Sequence, residues 1–504
     1  VWLAFLAVPL IVRGPLPPDE LRYLSVAWEM WNRGDLVVPW LNGAPYADKG
    51  PLLFWLTHLG WTVFGVNGWW PRLLPAVFAL TVVLLARALA MTLWPANRAA
   101  AALVPWLTIG SLAVTLYAQV VLVDLLLTSC TLLALLGLAR AERGQSNGWL
   151  LLTVATALGL LTKGPVMLLH LSGAALLAPW WRRETSGVAT RSWYAWLAAA
   201  LACGIAVSLL WAIVAVGHGG AAYEADIFVN QTADRFAGGF GHARPFWFYL
   251  AMLPTMLFPW SAWPTAWRAV LAALRGSLAD RGWRLLAATI APTFIAFSLI
   301  RSKQPHYILP LVPLFACLLA SALAAWRSQR DSARLPLVLA ASATTALAVL
   351  PLIAPARLAV EPWPPLPGLV AAFALVLLSR PGTTTVLARR IALLAPLLVV
   401  PAEAAFFMAN RTGYDTSGAA AFVRSLQDAG HPIAYTRDYE GEFHFTARLT
   451  QPLEVVGRDE SAAAAWSQRH PDGYLVRYGE SPRADAVYSQ RLRGDWLSIV
   501  PARL

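Results

Sequence analysis

The chain has 504 residues, of which 58% are hydrophobic and only 13% charged, with a mean hydropathy of +0.56 and a formal net charge of +12. A soluble domain carries about 25% charge, so a soluble globular protein is excluded. Repeated apolar runs of about 20 residues instead point to a polytopic α-helical membrane protein. The positive excess is mostly Arg between apolar runs, so it does not imply a nucleic-acid partner.

Val1 to Val12 reads as the tail of a first transmembrane helix. A charged loop follows, with Asp19, Glu20, Arg22, Glu29, Arg33, Asp35, Asp48 and Lys49 close together in an otherwise oily chain. Leu52 to Gly65 is apolar but short, and is interrupted by His58 and Gly60. Further spans are expected near 72–91, 99–117, 120–139, 148–161, 164–180, 194–216, 246–266, 284–300, 306–325, 335–355, 364–379 and 390–408, thirteen in all with the first. This divides the chain into a transmembrane domain, 1–409, with long loops at 13–71 and 217–245, and a polar region, 410–504.

The polar region has short apolar runs at Pro432–Tyr435, Leu453–Val456, Tyr474–Val476 and Leu497–Val500. Helical stretches are expected at Thr416–Ala429 and Ser461–Arg469, which suggests a small α/β domain. His431, His444 and His470 read as surface residues. Cys130, Cys203 and Cys317 lie in apolar segments, read as small core residues, and have no metal-ligand spacing. Tryptophans at segment ends, such as Trp94, Trp149, Trp180 and Trp326, suit interfacial anchors.

Charge sets an expected orientation. Loops holding Arg87 and Arg98, Arg140 and Arg143, Arg182, Arg183 and Arg191, and Arg268 to Arg284 alternate with loops nearly free of Arg. The Arg-rich loops are therefore expected in the cytoplasm. The alternation requires that Leu52–Gly65 lie at the interface or re-enter rather than span. The charged first loop, the turns at Gln119, Lys163 and Lys303, the 217–245 loop and the C-terminal region then share the opposite face. In a bacterium this is the periplasmic face of the inner membrane.

Ionisable groups at membrane depth are costly and usually face a cavity or a partner. Asp19, Glu20, Asp48, Lys49, Asp124, Lys163, Arg235, His242, Lys303, His306 and Tyr307 all fall at this one face. A carboxylate there can take a proton from an attacking acceptor hydroxyl, and Lys or Arg can hold a leaving phosphate. Each residue also has a structural reading. Asp19 and Glu20 suit the N-terminus of a helix from Leu21. Asp48-Lys49 suits a local ion pair, and Lys163 and Lys303 suit headgroup snorkelling. A transporter or flippase of lipid-linked sugars is the alternative class, but it would need polar residues in both halves of the spans, and here the cytoplasmic halves are nearly all apolar.

Several stretches resemble one known group. They are Asp19-Glu20-Leu21-Arg22-Tyr23, Gly34-Asp35-Leu36-Val37-Val38-Pro39, Leu41-Asn42-Gly43 and Tyr46-Ala47-Asp48-Lys49-Gly50-Pro51. The likeness continues at Thr162-Lys163-Gly164-Pro165, His242-Ala243-Arg244-Pro245 and Ser302-Lys303-Gln304-Pro305-His306-Tyr307. Together they resemble bacterial lipid A aminoarabinose transferases and the dolichyl-phosphate-mannose protein mannosyltransferases, both in the GT-C glycosyltransferase superfamily. The resemblance implies a GT-C fold with about 13 transmembrane helices and a small extracytoplasmic C-terminal domain. It further implies inverting transfer of a sugar from a polyprenyl-phosphate donor to lipid A or another envelope acceptor.

On this reading Asp19 is the catalytic carboxylate and Asp124 a second functional Asp, with Glu20 beside them. Lys49, Arg22, Lys163, Arg235, Lys303, His306, Tyr307, His242 and Asp48 line the donor or phosphate site. No metal cofactor is expected, and the chain is expected to act as a monomer. It departs from the aminoarabinose enzymes at Asp48-Lys49-Gly50-Pro51, where they tend to have Glu-Lys-Pro-Pro, and at Thr232, where relatives are expected to have His or Asn.

Overall fold

The computed structural model describes residues 10–182, 189–227, 243–277, 279–326, 332–353 and 382–502. Among them, six stretches are long and apolar enough to cross a membrane: Trp69–Leu93, Asp124–Glu142, Thr190–Ala221, Arg281–Leu299, Pro305–Ala325 and Thr384–Met408. The Asp124–Glu142 helix is buried almost all round, between the Trp69–Leu93 and Asn147–Lys163 helices. A helix apolar on every face between its charged ends belongs in the centre of a bundle.

Several expected spans take a different form. The expected 246–266 span is a short helix, Phe248–Met256, then a 3-10 turn, Trp260–Ala262, then a separate helix, Pro264–Ser277. Pro254, Pro259 and Pro264 explain the interruption, because each lacks the N–H that a continuing helix uses. The expected 99–117 span breaks at Gly110-Ser111 into Arg98–Ile109 and Leu112–Tyr117. The expected loop at 217 starts later, because the preceding helix runs to Ala225 with one non-helical residue, Gly220. The expected span at 364–379 lies outside the described residues.

Leu52–Phe64 is one unbroken helix of 13 residues, despite His58 and Gly60. At 1.5 Å per residue it reaches about 20 Å, short of the roughly 30 Å hydrocarbon core. His58 Nε2 meets the Ala27 carbonyl at 2.8 Å. Gly60 lets the Trp70 indole lie against the helix, since a Cβ there would stand 1.9 Å from the indole nitrogen. The helix thus packs against Asp19–Arg33 on one side and Trp69–Leu93 on the other. Cys130 and Cys317 are buried as expected, but Cys203 is exposed on the outer face of its helix.

The C-terminal region holds a five-stranded mixed sheet. Its strands are β3 Ile433–Tyr435, β4 Glu454–Val455, β5 Tyr474–Gly479, β6 Tyr488–Leu492 and β7 Asp495–Pro501, with a hairpin, β1 Trp40–Leu41 and β2 Ala44–Pro45, in the first loop. β3 runs parallel to β4 and β5, and β7 antiparallel to β5 and β6. The Ser417–Asp428 and Glu460–Arg469 helices cover the sheet with apolar residues such as Val423 and Trp466.

This region docks on the first loop through a short helix, His444–Ala447. Phe445 stacks on Trp61 with ring centroids 5.8 Å apart. Ser25 Oγ donates to the Gly441 carbonyl at 2.6 Å and accepts the Phe445 N–H at 3.0 Å. Trp28 donates to the Leu449 carbonyl, and Asn42 bonds both backbone groups of Leu453. His444 corrects the surface expectation: it is buried, with Nδ1 2.7 Å from the Tyr439 hydroxyl. Burial among aromatic rings pushes its imidazole down to about 4.

Candidate active site

The residues singled out in the sequence meet where helix ends from distant parts of the chain converge. Asp19 is the first residue of the Asp19–Arg33 helix. Its carboxylate is 48% exposed and accepts from Arg22 Nη2 at 2.6 Å. One turn separates the two, so the helix itself sets this pairing. Arg22 Nη1 donates to Glu440 at 2.8 Å and lies 4.0 Å from Asp48. Burial works against the Arg22 charge, but the carboxylates of Glu440 and Asp19 outweigh it and hold the guanidinium above its ordinary value. Burial likewise raises the Glu440 carboxyl, against the pull of Arg22.

Below this half-exposed rim lies a buried floor. Asp124 opens its helix rather than lying a turn inside it. Its Oδ1 accepts from Lys163 Nζ at 2.6 Å, with side-chain exposures of 2% and 6%. Lys163 ends the Asn147–Lys163 helix, directly before the turn at Gly164. Its ammonium also sits 4.6 Å over the Tyr307 ring, a cation–π contact. His306 Nε2 stands 3.8 Å from the other Asp124 oxygen, with its ring edge-on to Tyr117 and Tyr307. Lys49 is close enough for its charge to act on both Asp124 and His306, and Asp19 acts on His306. Rim and floor are therefore one electrostatic unit.

Gly50 makes this approach possible. A Cβ at Gly50 would stand 2.0 Å from the Leu161 carbonyl oxygen, so the first loop lies directly against the end of the Lys163 helix. Tyr46 is fully enclosed beside the same loop, and its hydroxyl has no hydrogen-bond partner among the described residues.

Two expected contacts have other placements. Lys303 is buried, but its ammonium donates to the backbone carbonyls of Arg244 and Ile300. It pins the end of the 217–245 loop to the start of the next helix, which an Ala243–Ser302 bridge also joins. Glu20 is fully buried and faces away from Asp19, toward Arg13. A base in contact with substrate does not suit that position. Arg235 and His242 lie outside the described residues.

Sequence reasoning missed Glu440, Arg13 and Glu403. The available signal for Glu440 was an acidic run in a basic chain, Asp438-Tyr439-Glu440-Gly441-Glu442. Among the described residues no group of three His, Cys, Asp or Glu side chains is placed to hold a metal ion.

Residues 48–211 match the dolichyl-phosphate-mannose-protein mannosyltransferase family. An undecaprenyl phosphate-alpha-4-amino-4-deoxy-L-arabinose arabinosyl transferase of Pseudomonas aeruginosa is 34% identical over 331 residues, 63% of this chain and 57% of the relative. One from Pseudomonas fluorescens is 32% identical over 377 residues, 70% of this chain and 60% of the relative. The matched stretch thus spans less than two thirds of these relatives' own length.

The crystal structure of apo ArnT from Cupriavidus metallidurans superposes with a TM-score of 0.75 at 19% identity, covering 99% of this chain and 96% of that one. The same protein bound to undecaprenyl phosphate gives a TM-score of 0.73 at 20% identity, covering 94% and 91%. The fold is that of the GT-C membrane glycosyltransferases, and the chain is a multi-pass membrane protein. Its curated relatives are aminoarabinose transferases, the group its loop motifs resemble.

Proposed function

We infer that the protein transfers a sugar from a polyprenyl-phosphate donor to an acceptor at the outer face of the inner membrane, with inversion. The acceptor oxygen attacks the anomeric carbon, and its proton passes to Asp19. The bond from that carbon to the donor phosphate breaks, and its electron pair leaves with the polyprenyl phosphate. Asp19 suits this role because it is exposed enough to meet an acceptor and is oriented by Arg22. Lys49, whose charge reaches Asp124, supplies positive charge for the leaving phosphate. Asp124 and Lys163 neutralise one another and serve as the fixed floor on which His306 and Tyr307 are set.

The observation that carries this reading is the convergence of an exposed carboxylate, a loop lysine and a buried ion pair at one end of a GT-C bundle. The curated relatives' names supply the donor class, an undecaprenyl-phosphate-linked 4-amino-4-deoxy-L-arabinose. Lipid A, one of the envelope acceptors the motif resemblance allows, is the proposed acceptor. We propose no metal cofactor, since Lys49 and Arg22 are placed to carry the needed charge, and chelation is expected to leave the rate unchanged. The test is transfer from that donor to lipid A by purified wild-type protein and by Asp19→Asn. Product from wild type and a rate lower by about 10²-fold or more from the variant supports the reading. Full activity in the variant removes Asp19 from the role.

A further inference from the structure

Glu20 is saturated. Its Oε2 accepts from Arg13 Nη1 at 2.6 Å and from the Leu16 N–H at 2.7 Å. Its Oε1 accepts from Arg13 Nη2 at 3.2 Å and from the Val121 N–H at 2.9 Å. Arg13 is equally committed: it also donates to the carbonyls of Gly14 at 3.1 Å and Gln119 at 2.6 Å, and through Nε to Glu403 at 2.9 Å. The Arg13 and Glu20 side chains are 2% and 0% exposed. A bidentate pair in such a place is geometrically strict, and it leaves no lone pair on Glu20 for a substrate.

What the pair joins is the important point. Glu20 follows Asp19 directly. Gln119 and Val121 form the turn that leads into Asp124. Glu403 belongs to the Leu394–Tyr414 helix, far along the chain. One carboxylate and one guanidinium therefore tie together the backbone beneath both site aspartates and anchor them to a third element.

The geometry points to Glu20 as a positioning residue, which with Arg13 fixes the separation between Asp19 and Asp124 and never touches substrate. Misplacement of reacting groups by about 1 Å can cost 10²-fold in rate, so a rigid tie between two separately folded segments matters to the chemistry. This rests on the function proposed above.

The test uses the full chain in detergent, carrying Glu20→Gln, Arg13→Gln or both, with the undecaprenyl-phosphate aminoarabinose donor. Each single variant is expected to lower kcat about 10- to 100-fold, with the donor KM within about twofold of wild type. The double variant is expected to be no worse than the worse single one, because both break the same tie. Unchanged kcat, a raised KM with normal kcat, or losses that multiply would each overturn the assignment.

Should Glu20→Gln fail to fold, Arg13→Lys keeps the charge but not the fork. The same kcat loss with a normal elution profile supports the tie, and wild-type kcat overturns it. If wild type transfers no sugar, the proposed function fails, and the tie is then read from thermal unfolding. Shifts from the two single variants that do not add support it, and additive shifts overturn it.

Discussion

The Asp19–Arg22 and Asp124–Lys163 pairs have the same length, 2.6 Å, yet Asp19 is 48% exposed and Asp124 only 2%. An exposed pair contributes little to stability, about 0–1 kcal/mol, because water and salt screen it. A buried pair has lost its hydration, so removing one partner strands a charge at a cost of about 3–5 kcal/mol. The rim is thus free to exchange partners with a substrate, while the floor is not.

The largest expected effect tests the rim. Asp19→Asn should lower the transfer rate by about 10²- to 10⁴-fold, the usual contribution of a general base, while shifting stability by less than about 1 kcal/mol. Kinetics and thermal unfolding on one preparation check both halves. A large stability loss would erase the contrast with the floor.

Lys163→Met tests the floor. It should destabilise the protein by about 3–5 kcal/mol, and adding Asp124→Asn should restore much of that without restoring activity. Denaturation of the single and double variants measures it. A single variant as stable as wild type would show that the floor is as replaceable as the rim.

His444 lets the comparison be sharpened with pH, because its helix seats the C-terminal region against the rim. Its pKa is near 4 in the fold and about 6.5 in an unfolded chain. The native state therefore binds fewer protons between these values, and stability falls as pH drops through that window, by about 3 kcal/mol in all. Unfolding of wild type against His444→Asn across this range isolates this pH dependence, which the variant should lack.

Gly50→Ala is expected to cost about 1–3 kcal/mol by overpacking, since the added Cβ would meet the Leu161 carbonyl at 2.0 Å. Activity should fall as well, because Lys49 moves with the loop. Thermal unfolding and transfer rate together check it.

The smallest effect is that of Glu440→Gln, below about 1 kcal/mol for a half-exposed partner of Arg22. Its carboxyl pKa is raised by burial, so the native state holds this proton more tightly than the unfolded chain does. Stability from this group is present below its ordinary 4.5 and lost as pH rises through the raised value,. The variant should gain on wild type over that rise, as melting curves across pH would show.

Much of the site was legible before any tertiary contact was known. Asp19, Lys49, Asp124, Lys163 and His306 sit at the ends of apolar segments, and charge is tolerated at such a depth only where a partner or cavity awaits it. Apolar run length located most helices for the same reason. Three prolines between Pro254 and Pro264 were readable as breakers, yet hydropathy alone carried the expected span through them.

Other features belong to tertiary structure because their partners are remote in sequence. Sequence alone determined a membrane bundle with polar groups gathered at one end, because hydropathy and charge are local properties of the chain. It could not separate Asp19 from Glu20, two adjacent carboxylates with the same local prospects. Packing decided that. Arg13 and the Leu16 and Val121 N–H groups use all the lone pairs of Glu20, while Glu403, 390 residues from Arg13, holds the guanidinium through its Nε. Asp19 is left at the rim, with Arg22 held from the far side by Glu440 of the C-terminal region.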